Sequence, residues 1–215
     1  DSMTAILASD GLRMARSIEA VTLAEAGPSE QQRTLTAPLV DALWDSGLMQ
    51  FMNPACAGGH EPGFAELIET WIELARQDGS LGWIGIANIP SSCFAAAYLP
   101  DDGFEAVFSA NDNRVTMGGQ FFPNGMGDTV AGGYRVTGKW QFGSGTGHSE
   151  YVCAGFLPMD NGQMVMATDV MPQMMVAIVP REQVTFTDGW HVQGLKGTGS
   201  YDYELQDVFV PASHT

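Results

Sequence analysis

Basic residues are scarce in this chain of 215 residues, which has 9 Lys and Arg against 25 Asp and Glu and a formal net charge of −16. Nucleic-acid binding requires clustered cations that neutralise phosphates, so this charge balance argues against a nucleic-acid partner. It also means that a phosphate group on a ligand would be held by a few local groups or by helix amino termini rather than by a basic field.

Cysteine and histidine are also scarce. The three cysteines are odd in number and widely separated, which excludes a disulfide framework and a Cys-x-x-Cys motif, and the four histidines lack metal-ligand spacing. These residues are Cys56, Cys93, Cys153, His60, His148, His191 and His214. We therefore expect inert thiols and no metal site.

Long apolar runs and a secretion signal are further absences. The longest apolar stretches are broken by Gly, Pro or charge well before the ~20 residues that a bilayer requires, so neither a transmembrane segment nor a membrane partner is expected. The first residues, Asp1-Ser2-Met3, lack the basic start, apolar run and small-residue cleavage site of a secretion signal. A cytoplasmic location is the default expectation.

Two periodicities divide the chain. From Gly11 to Phe108 the apolar residues follow helical spacing. Beyond Asn111, short segments that favour strands alternate with Gly, Pro, Asn and Asp turns, and several such strands predict a barrel. The predicted strands span residues 114–119, 129–130, 134–142, 151–157, 163–170, 175–179, 184–186 and 201–210. We therefore predict an α+β protein with an α-helical domain over residues 1–110 and an antiparallel β-barrel domain over residues 111–215.

Three glycine-rich stretches stand out in the second half of the chain. Residues 133–145 read GYRVTGKWQFGSG and predict a strand followed by a turn that displays Ser144 among glycines. A turn serine taken alone is ordinary turn chemistry. Residues 118–127 read GGQFFPNGMG, and residues 190–200 read WHVQGLKGTGS before a strand that ends at Val210-Pro211. The occurrence of these stretches in this order is more specific than any one of them.

Together they resemble the middle β-domain of the acyl-CoA dehydrogenase superfamily, and more closely its branch of flavin-dependent monooxygenases, the two-component hydroxylases. In the first half, Gly47-Leu48, Asn53-Pro54 and Gly58-Gly59 resemble the family's "Gly-Leu … Pro … Gly-Gly" passage. Residues 78–83, DGSLGW, are similar to the "Gly-Ser-x-Gly-Trp" start of a buried helix in the monooxygenases. The likeness covers nearly the whole chain as amino-terminal and middle domains.

The family's carboxy-terminal helical bundle is the part that the resemblance does not reach. Relatives pass from the β-domain into this bundle near the position of Pro211. We therefore expect the bundle to be absent from these 215 residues. Because the bundle supplies most subunit contacts in relatives, the resemblance implies a homo-oligomer if the protein has a carboxy-terminal bundle.

The resemblance implies a flavin site built by the first two glycine-rich stretches. Ser144 stands where the family places a hydroxyl near flavin N5, and Phe142 matches the aromatic residue of the monooxygenase pattern "Phe-x-Ser-Gly". A fixed hydrogen-bonding group at N5 tunes flavin chemistry. The implied cofactor-binding residues are Gly119, Gln120, Phe142, Gly143 and Ser144.

The third stretch matches the family's "Gly-x-Arg/Lys-Gly-Thr-Gly-Ser" loop beside cofactor and substrate. The match implies that Lys196, Thr198 and Ser200 belong to this loop. Lys196 is expected to pair with a phosphate or with a carboxylate such as Asp188, and a plain surface salt bridge is equally compatible with the sequence.

A catalytic base is missing from the position where the monooxygenases often carry a histidine. This chain has Asn88, Pro90 and Ser91 there. None of these side chains is a base near neutral pH, which weakens a prediction of phenol hydroxylation and leaves the base unassigned.

The resemblance implies a flavin-dependent oxidoreductase with FAD or FMN. The main hypothesis is a monooxygenase or hydroxylase that takes reduced flavin from a reductase and transfers oxygen to a small organic substrate. Two alternatives stay open: an FAD-dependent acyl-CoA dehydrogenase, although its "Thr-Glu-Pro-x-x-Gly-Ser-Asp" pattern is not matched, and a truncated, non-catalytic scaffold or binding module.

Overall fold

The computed structural model describes residues 8–215. Residues 1–7, on which the prediction of no secretion signal depends, lie outside the described residues. The described part begins with helices and continues with strands, which is the predicted α+β order. Within residues 8–215, no helix combines the length and the apolar character needed to cross a membrane.

Seven α-helices occupy the first half of the described chain. Their buried faces meet in a cluster around Leu39, Leu43, Leu74 and Leu81, each at most 1% exposed. The helices are α1 (Asp10–Ser17), α2 (Glu19–Gln32), α3 (Ala37–Asp45), α4 (Phe64–Gln77), α5 (Gly79–Ala87), α6 (Ile89–Tyr98) and α7 (Asp101–Val107).

Local chemistry sets the ends of α5 and α6. The carboxylate of Asp78 caps α5 by accepting from the backbone N–H of Leu81 at 2.8 Å. Pro90 has no backbone N–H and is tolerated in the first turn of a helix. The chain accordingly breaks between α5 and α6 at Asn88, with Pro90 in the first turn of α6.

Seven strands form one mixed sheet. They are β1 (Met117–Val130), β2 (Gly133–Gly143), β3 (Tyr151–Asp160), β4 (Gln163–Met164), β5 (Met175–Pro180), β6 (Thr185–Thr187) and β7 (Tyr201–Pro211). The order is β4-β3-β1-β2-β7-β6, with β5 also paired to β3, and the end strands do not pair with each other. Trp140 of β2 stacks on Tyr203 of β7 at 5.3 Å between ring centroids in the sheet's core.

The prediction of an antiparallel β-barrel was wrong, because the sheet is open and β1 pairs with β3 in parallel. The strand that follows β2 is β3, and it pairs with β1 rather than with β2. Residues 144–150, here named the crossing loop, carry the chain from the end of β2 across the start of β1 to β3. A Cβ on Gly118 would lie 2.5 Å from the carbonyl oxygen of Ser144 and 2.6 Å from the backbone nitrogen of Thr146. The missing side chain of Gly118 is what permits this crossing.

Helices and sheet share an apolar cluster. Ala95 of α6 and Phe108 after α7 pack with Met117 of β1, Cys153 of β3 and Ile178 of β5, all at most 2% exposed. This packing fixes α6 against the start of β1. The predicted division into domains at residues 110 and 111 stays a prediction.

Candidate functional site

A cleft of about 360 Å³ opens between α5–α6 and the strands β1 and β2. Four of the five predicted cofactor-binding residues line it, and Gly143 lies between two of them in the chain. The lining residues are Trp83, Ile86, Ala87, Pro90, Ser91, Gly119, Gln120, Phe121, Phe122, Phe142 and Ser144. None of these side chains titrates near neutral pH, so this cleft offers aromatic surface and hydrogen-bonding groups rather than an acid or a base.

The hydroxyl of Ser144 is the polar centre of the cleft. Ser144 is only 6% exposed. The indole Nε1 of Trp83 donates to its Oγ at 2.9 Å, and the Oγ of Ser200 lies 2.7 Å away. The hydroxyl therefore has one partner in α5 and one immediately before β7, and these two contacts hold it at a defined position.

A chain of hydroxyls joins the two motifs that are separated in sequence. The Oγ of Ser200 lies 2.7 Å from Oγ1 of Thr198, which in turn donates to the carbonyl oxygen of Leu195 at 2.9 Å. The carbonyl of Thr198 accepts from the backbone N–H of Gly145 at 2.9 Å. Three predicted site residues, Ser144, Thr198 and Ser200, are thus brought together.

Phe142 has a strained backbone beside this hydroxyl. Its φ is 59°, in the left-handed region that bulky residues rarely adopt, and it lies where the pairing of β2 with β7 is interrupted. Its N–H donates to Asp202 at 3.2 Å, and its carbonyl accepts from the amide of Gln120 at 3.1 Å and from the N–H of Ser144 at 2.8 Å. This conformation leaves the Phe142 ring 59% exposed at the cleft.

Gly119 and Gln120 form the base of the cleft through their backbone. Gly119 has a φ of 124°, and a Cβ there would lie 2.2 Å from the carbonyl oxygen of Cys153. The hydroxyl of Tyr203 accepts from the N–H of Gln120 at 2.9 Å and donates to Cys153 at 2.5 Å. Burial raises the pKa of Tyr203 well above its usual value, so this hydroxyl remains a neutral bridge between β1 and β3.

Gly143 is required by packing. A Cβ on it would lie 2.8 Å from the ring of Tyr203 and 3.0 Å from the side chain of Thr146. Its carbonyl accepts from the hydroxyl of Thr146 at 2.7 Å. Gly143 therefore sets the path of the chain into the crossing loop without lining the cleft itself.

Lys196 lies away from the cleft. It lines a separate groove with Arg33, His191 and residues of α2. Asp188, its expected carboxylate partner, pairs instead with Arg33 at 2.5 and 3.0 Å. Lys196 forms no ion pair with any other residue between positions 8 and 215. The sequence motif predicts that Lys196 belongs with Thr198 and Ser200, but in the structure Lys196 lines a different surface from the cleft.

A buried polar network under the cleft was not foreseen. The Oδ1 of Asn88 accepts from Thr116 at 3.1 Å and from Nε2 of His148 at 3.0 Å, while its amide nitrogen donates to Met117 and to Ser149. Because the Oδ1 of Asn88 can only accept, Nε2 of His148 carries a proton, and the lowered pKa of His148 leaves the ring neutral with an unprotonated Nδ1 near pH 7. Burial, with a smaller effect of a nearby arginine, lowers the pKa of His148 to about 4.

Trp83 is the cleft residue that sequence reasoning missed. Its motif predicted the start of a buried helix, yet its side chain is 43% exposed and its N–H reaches Ser144. The available signal was chemical. A single indole in a helix of small apolar residues carries one strong donor that needs a partner, and Ser144 was the hydroxyl already in question.

Comparison with known proteins places these features in context. No protein-family model matches the chain. It is 34% identical over 185 residues to the "FADH(2)-dependent resorcinol hydroxylase, oxygenase component" of Rhizobium sp. (strain MTP-10005), a match that covers 85% of this chain and 43% of that protein. The chain thus spans less than half the length of this curated relative.

Solved structures agree with this match. The HsaA monooxygenase from M. tuberculosis superposes with a TM-score of 0.85 and 28% identity, covering 96% of this chain and 54% of that one. XiaF from Streptomyces sp., in complex with FADH2 and glycerol, gives a TM-score of 0.85 and 25% identity over 99% of this chain and 52% of that one. The fold is therefore the one that these monooxygenases share. The homologues of this chain are oxygenase components of flavin-dependent monooxygenases.

Proposed function

We propose that this chain is the flavin-binding part of the oxygenase component of a two-component monooxygenase, in the monooxygenase branch of the acyl-CoA dehydrogenase superfamily. In this proposal a reductase supplies reduced FAD or FMN, and the complete enzyme hydroxylates a small organic substrate with O2. The observation that carries it is the hydroxyl of Ser144, which faces an aromatic cleft and is fixed by Trp83 and Ser200.

The cleft fits an isoalloxazine ring in its chemistry. Such a ring is flat and largely apolar, with hydrogen-bonding atoms along its edge. Trp83, Phe121 and Phe142 present partly exposed rings, and the close backbone approach at Gly119 leaves no side chain in the way. Ser144 and the backbone around Gln120 supply the polar contacts. A bound reduced flavin would supply the electrons that activate O2.

The protein's own contribution is positioning. The aromatic and aliphatic walls of the cleft would pack against a bound ring, and Ser144 would orient it at one point. The lining has no general base, and Asn88, one of the three residues in the region where the monooxygenases often carry a histidine, is fully buried and hydrogen-bonded to four neighbours. The catalytic base therefore stays unassigned.

The two alternatives are less well supported. The homologues carry the names of hydroxylases and monooxygenases, which favours oxygen transfer over acyl-CoA dehydrogenation. A silent scaffold does not account for Phe142, because a strained and exposed aromatic residue persists only where the surrounding structure holds it in place, and such strain clusters at functional sites.

Anaerobic titration of the purified chain with oxidised and reduced FAD and FMN tests the proposal. We expect saturable binding with preference for the reduced form. Preference for oxidised FAD would favour the dehydrogenase, and binding of neither form would overturn a flavin-binding function for this chain.

A pair of matched variants locates the site. Ile86→Trp fills the cleft from α5, where Ile86 is 48% exposed, and should weaken flavin binding at least tenfold. Ile72→Trp makes the same change at a residue of α4 that is 65% exposed outside the cleft, and it should bind as the wild type does. Equal binding by both variants would place the flavin elsewhere.

A further inference from the structure

The hydroxyl chain Ser144–Ser200–Thr198 has a direction that can be derived from its ends. An indole N–H can only donate, so Trp83 takes one lone pair of the Ser144 oxygen. A backbone carbonyl can only accept, so the bond between Thr198 and Leu195 uses the single proton of Thr198. The two contacts between these ends, each 2.7 Å long, lie between hydroxyls that can act either way.

With both ends fixed, only one arrangement satisfies every contact. The proton of Thr198 points to Leu195, so Ser200 must donate to Thr198, and Ser144 must then donate to Ser200. The proton of Ser144 is thereby directed into the protein, and its remaining lone pair is left for the cleft. Ser144 consequently meets a ligand as a hydrogen-bond acceptor.

We infer that Thr198 and Ser200 act as positioning residues that select the redox form of the flavin by fixing Ser144 as an acceptor. The inference rests on the proposed function and specifies how the site discriminates. Reduced flavin carries a proton on N5 and can donate to Ser144, whereas N5 of oxidised flavin is a bare acceptor. The wild-type chain of hydroxyls therefore matches the reduced form.

Binding of the oxidised form requires the chain to be rearranged. Ser144 can donate into the cleft only if its bond to Ser200 is lost, or if all three hydroxyls turn and Thr198 releases Leu195. Either route removes one hydrogen bond from a buried network, since Thr198 and Ser200 are 0% and 3% exposed. A loss of this size corresponds to a preference for reduced flavin of about twofold to tenfold.

The test is the ratio of the dissociation constants of oxidised and dithionite-reduced FAD, measured anaerobically on the full chain. In Ser200→Ala, the proton of Ser144 loses its internal acceptor and turns to the cleft. In Thr198→Val, the proton of Ser200 loses its acceptor and can be given to Ser144, which frees the Ser144 proton. Both variants should reduce the preference for reduced FAD by about twofold to tenfold. The midpoint potential of bound FAD should fall by about 30 mV per tenfold change.

Two control variants separate this effect from damage to the fold. Thr198→Ser keeps the hydroxyl and should keep the wild-type ratio. Thr22→Val removes another fully buried threonine hydroxyl that donates to a backbone carbonyl, that of Ile18 at 3.0 Å, in a part of α2 that does not line the cleft. It should lower stability about as much as Thr198→Val while leaving the ratio unchanged.

The possible outcomes distinguish failure of this inference from failure of the proposed function on which it rests. If wild type prefers reduced FAD and folded Ser200→Ala and Thr198→Val keep that preference, the inference fails and the proposed function stands. If wild type prefers oxidised FAD, the inference fails because Ser144 then acts as a donor. Wild-type protein that binds neither form would overturn both.

Discussion

The strained backbone of Phe142 leads to an inverted order of stability for two substitutions. In an ordinary strand position Ala is more stable than Gly by roughly 0.5–1 kcal/mol, because glycine loses more conformational freedom on folding. Phe142 has a φ of 59°, where a residue with a Cβ is disfavoured by roughly 1–2 kcal/mol and glycine is not. The second effect exceeds the first, so Phe142→Gly should be more stable than Phe142→Ala by about 1 kcal/mol.

The two variants share every other change, which makes the comparison clean. Both lose the same ring, its edge contact with Trp190 at 6.2 Å between centroids, and its aromatic surface at the cleft. Their flavin affinities should fall together, by up to about tenfold for one lost aromatic contact. Phe142→Gly should therefore be more stable than Phe142→Ala, while the two variants bind flavin equally weakly.

Urea unfolding of both variants, followed by tryptophan fluorescence, gives the difference in free energy of unfolding. The pair Lys139→Ala and Lys139→Gly serves as the control, because Lys139 lies in the same strand, is 82% exposed in its side chain and has no positive φ. The control pair should show the ordinary order, with Ala more stable. If Ala is also the more stable substitution at position 142, the argument from strain is wrong.

Three further predictions follow from the site and its support. Gly118→Ala should destabilise the protein by about 1–3 kcal/mol, since its Cβ would lie 2.5 Å from the Ser144 carbonyl oxygen, whereas Gly63→Ala, with no atom within 4 Å, should be tolerated; equal melting temperatures would contradict this. Ser144→Ala should weaken binding of reduced flavin by about twofold to tenfold and lower the free energy of unfolding by about 1–3 kcal/mol, because the hydrogen bonds to Trp83 and Ser200 are lost; unchanged affinity for reduced flavin would remove Ser144 from the site. The pKa of His148 is lowered from 6.5 to about 4 in the folded protein. Between pH 6.5 and pH 4 the histidine is therefore protonated in the unfolded chain and neutral in the folded chain. The free energy of unfolding should fall as the pH drops through this range, by up to about 1.4 kcal/mol per pH unit. Denaturant titrations across that range should show this slope in wild type and a shallower one in His148→Gln.

Local pattern predicted the elements well and their arrangement less well. The last predicted strand, residues 201–210, is found as β7, and its residues Tyr203 and Leu205 are at most 2% exposed. The prediction of a barrel was wrong because the pairing of strands depends on the path of the loops that connect them. Nothing in the strand pattern shows that the crossing loop passes over Gly118, since a glycine is equally compatible with a bulge or a turn.

The candidate site divides in the same way. Ser144, Thr198 and Ser200 were predicted because they stand in two motifs that resemble a known family, and the structure joins them by hydrogen bonds. Lys196 was grouped with them because it stands in the same motif as Thr198 and Ser200, but neighbouring residues in a tight turn point in different directions. The network around Asn88 escaped prediction because its partners come from two segments, residues 116–117 and 148–149, that lie far from Asn88 in the sequence.

The parallel pairing of β1 with β3 has a consequence for the order in which the protein assembles. The hairpin of β1 and β2 closes through a short turn between Val130 and Gly133, whereas Met117 finds its partner Tyr151 only after the whole of β2 and the crossing loop have been laid down. Closing the longer loop carries the larger entropic barrier. We therefore expect the hairpin of β1 and β2 to form first and β3 to pair with β1 later. The cleft wall that includes Ser144 should then acquire protection from hydrogen exchange only in the slow phase of refolding.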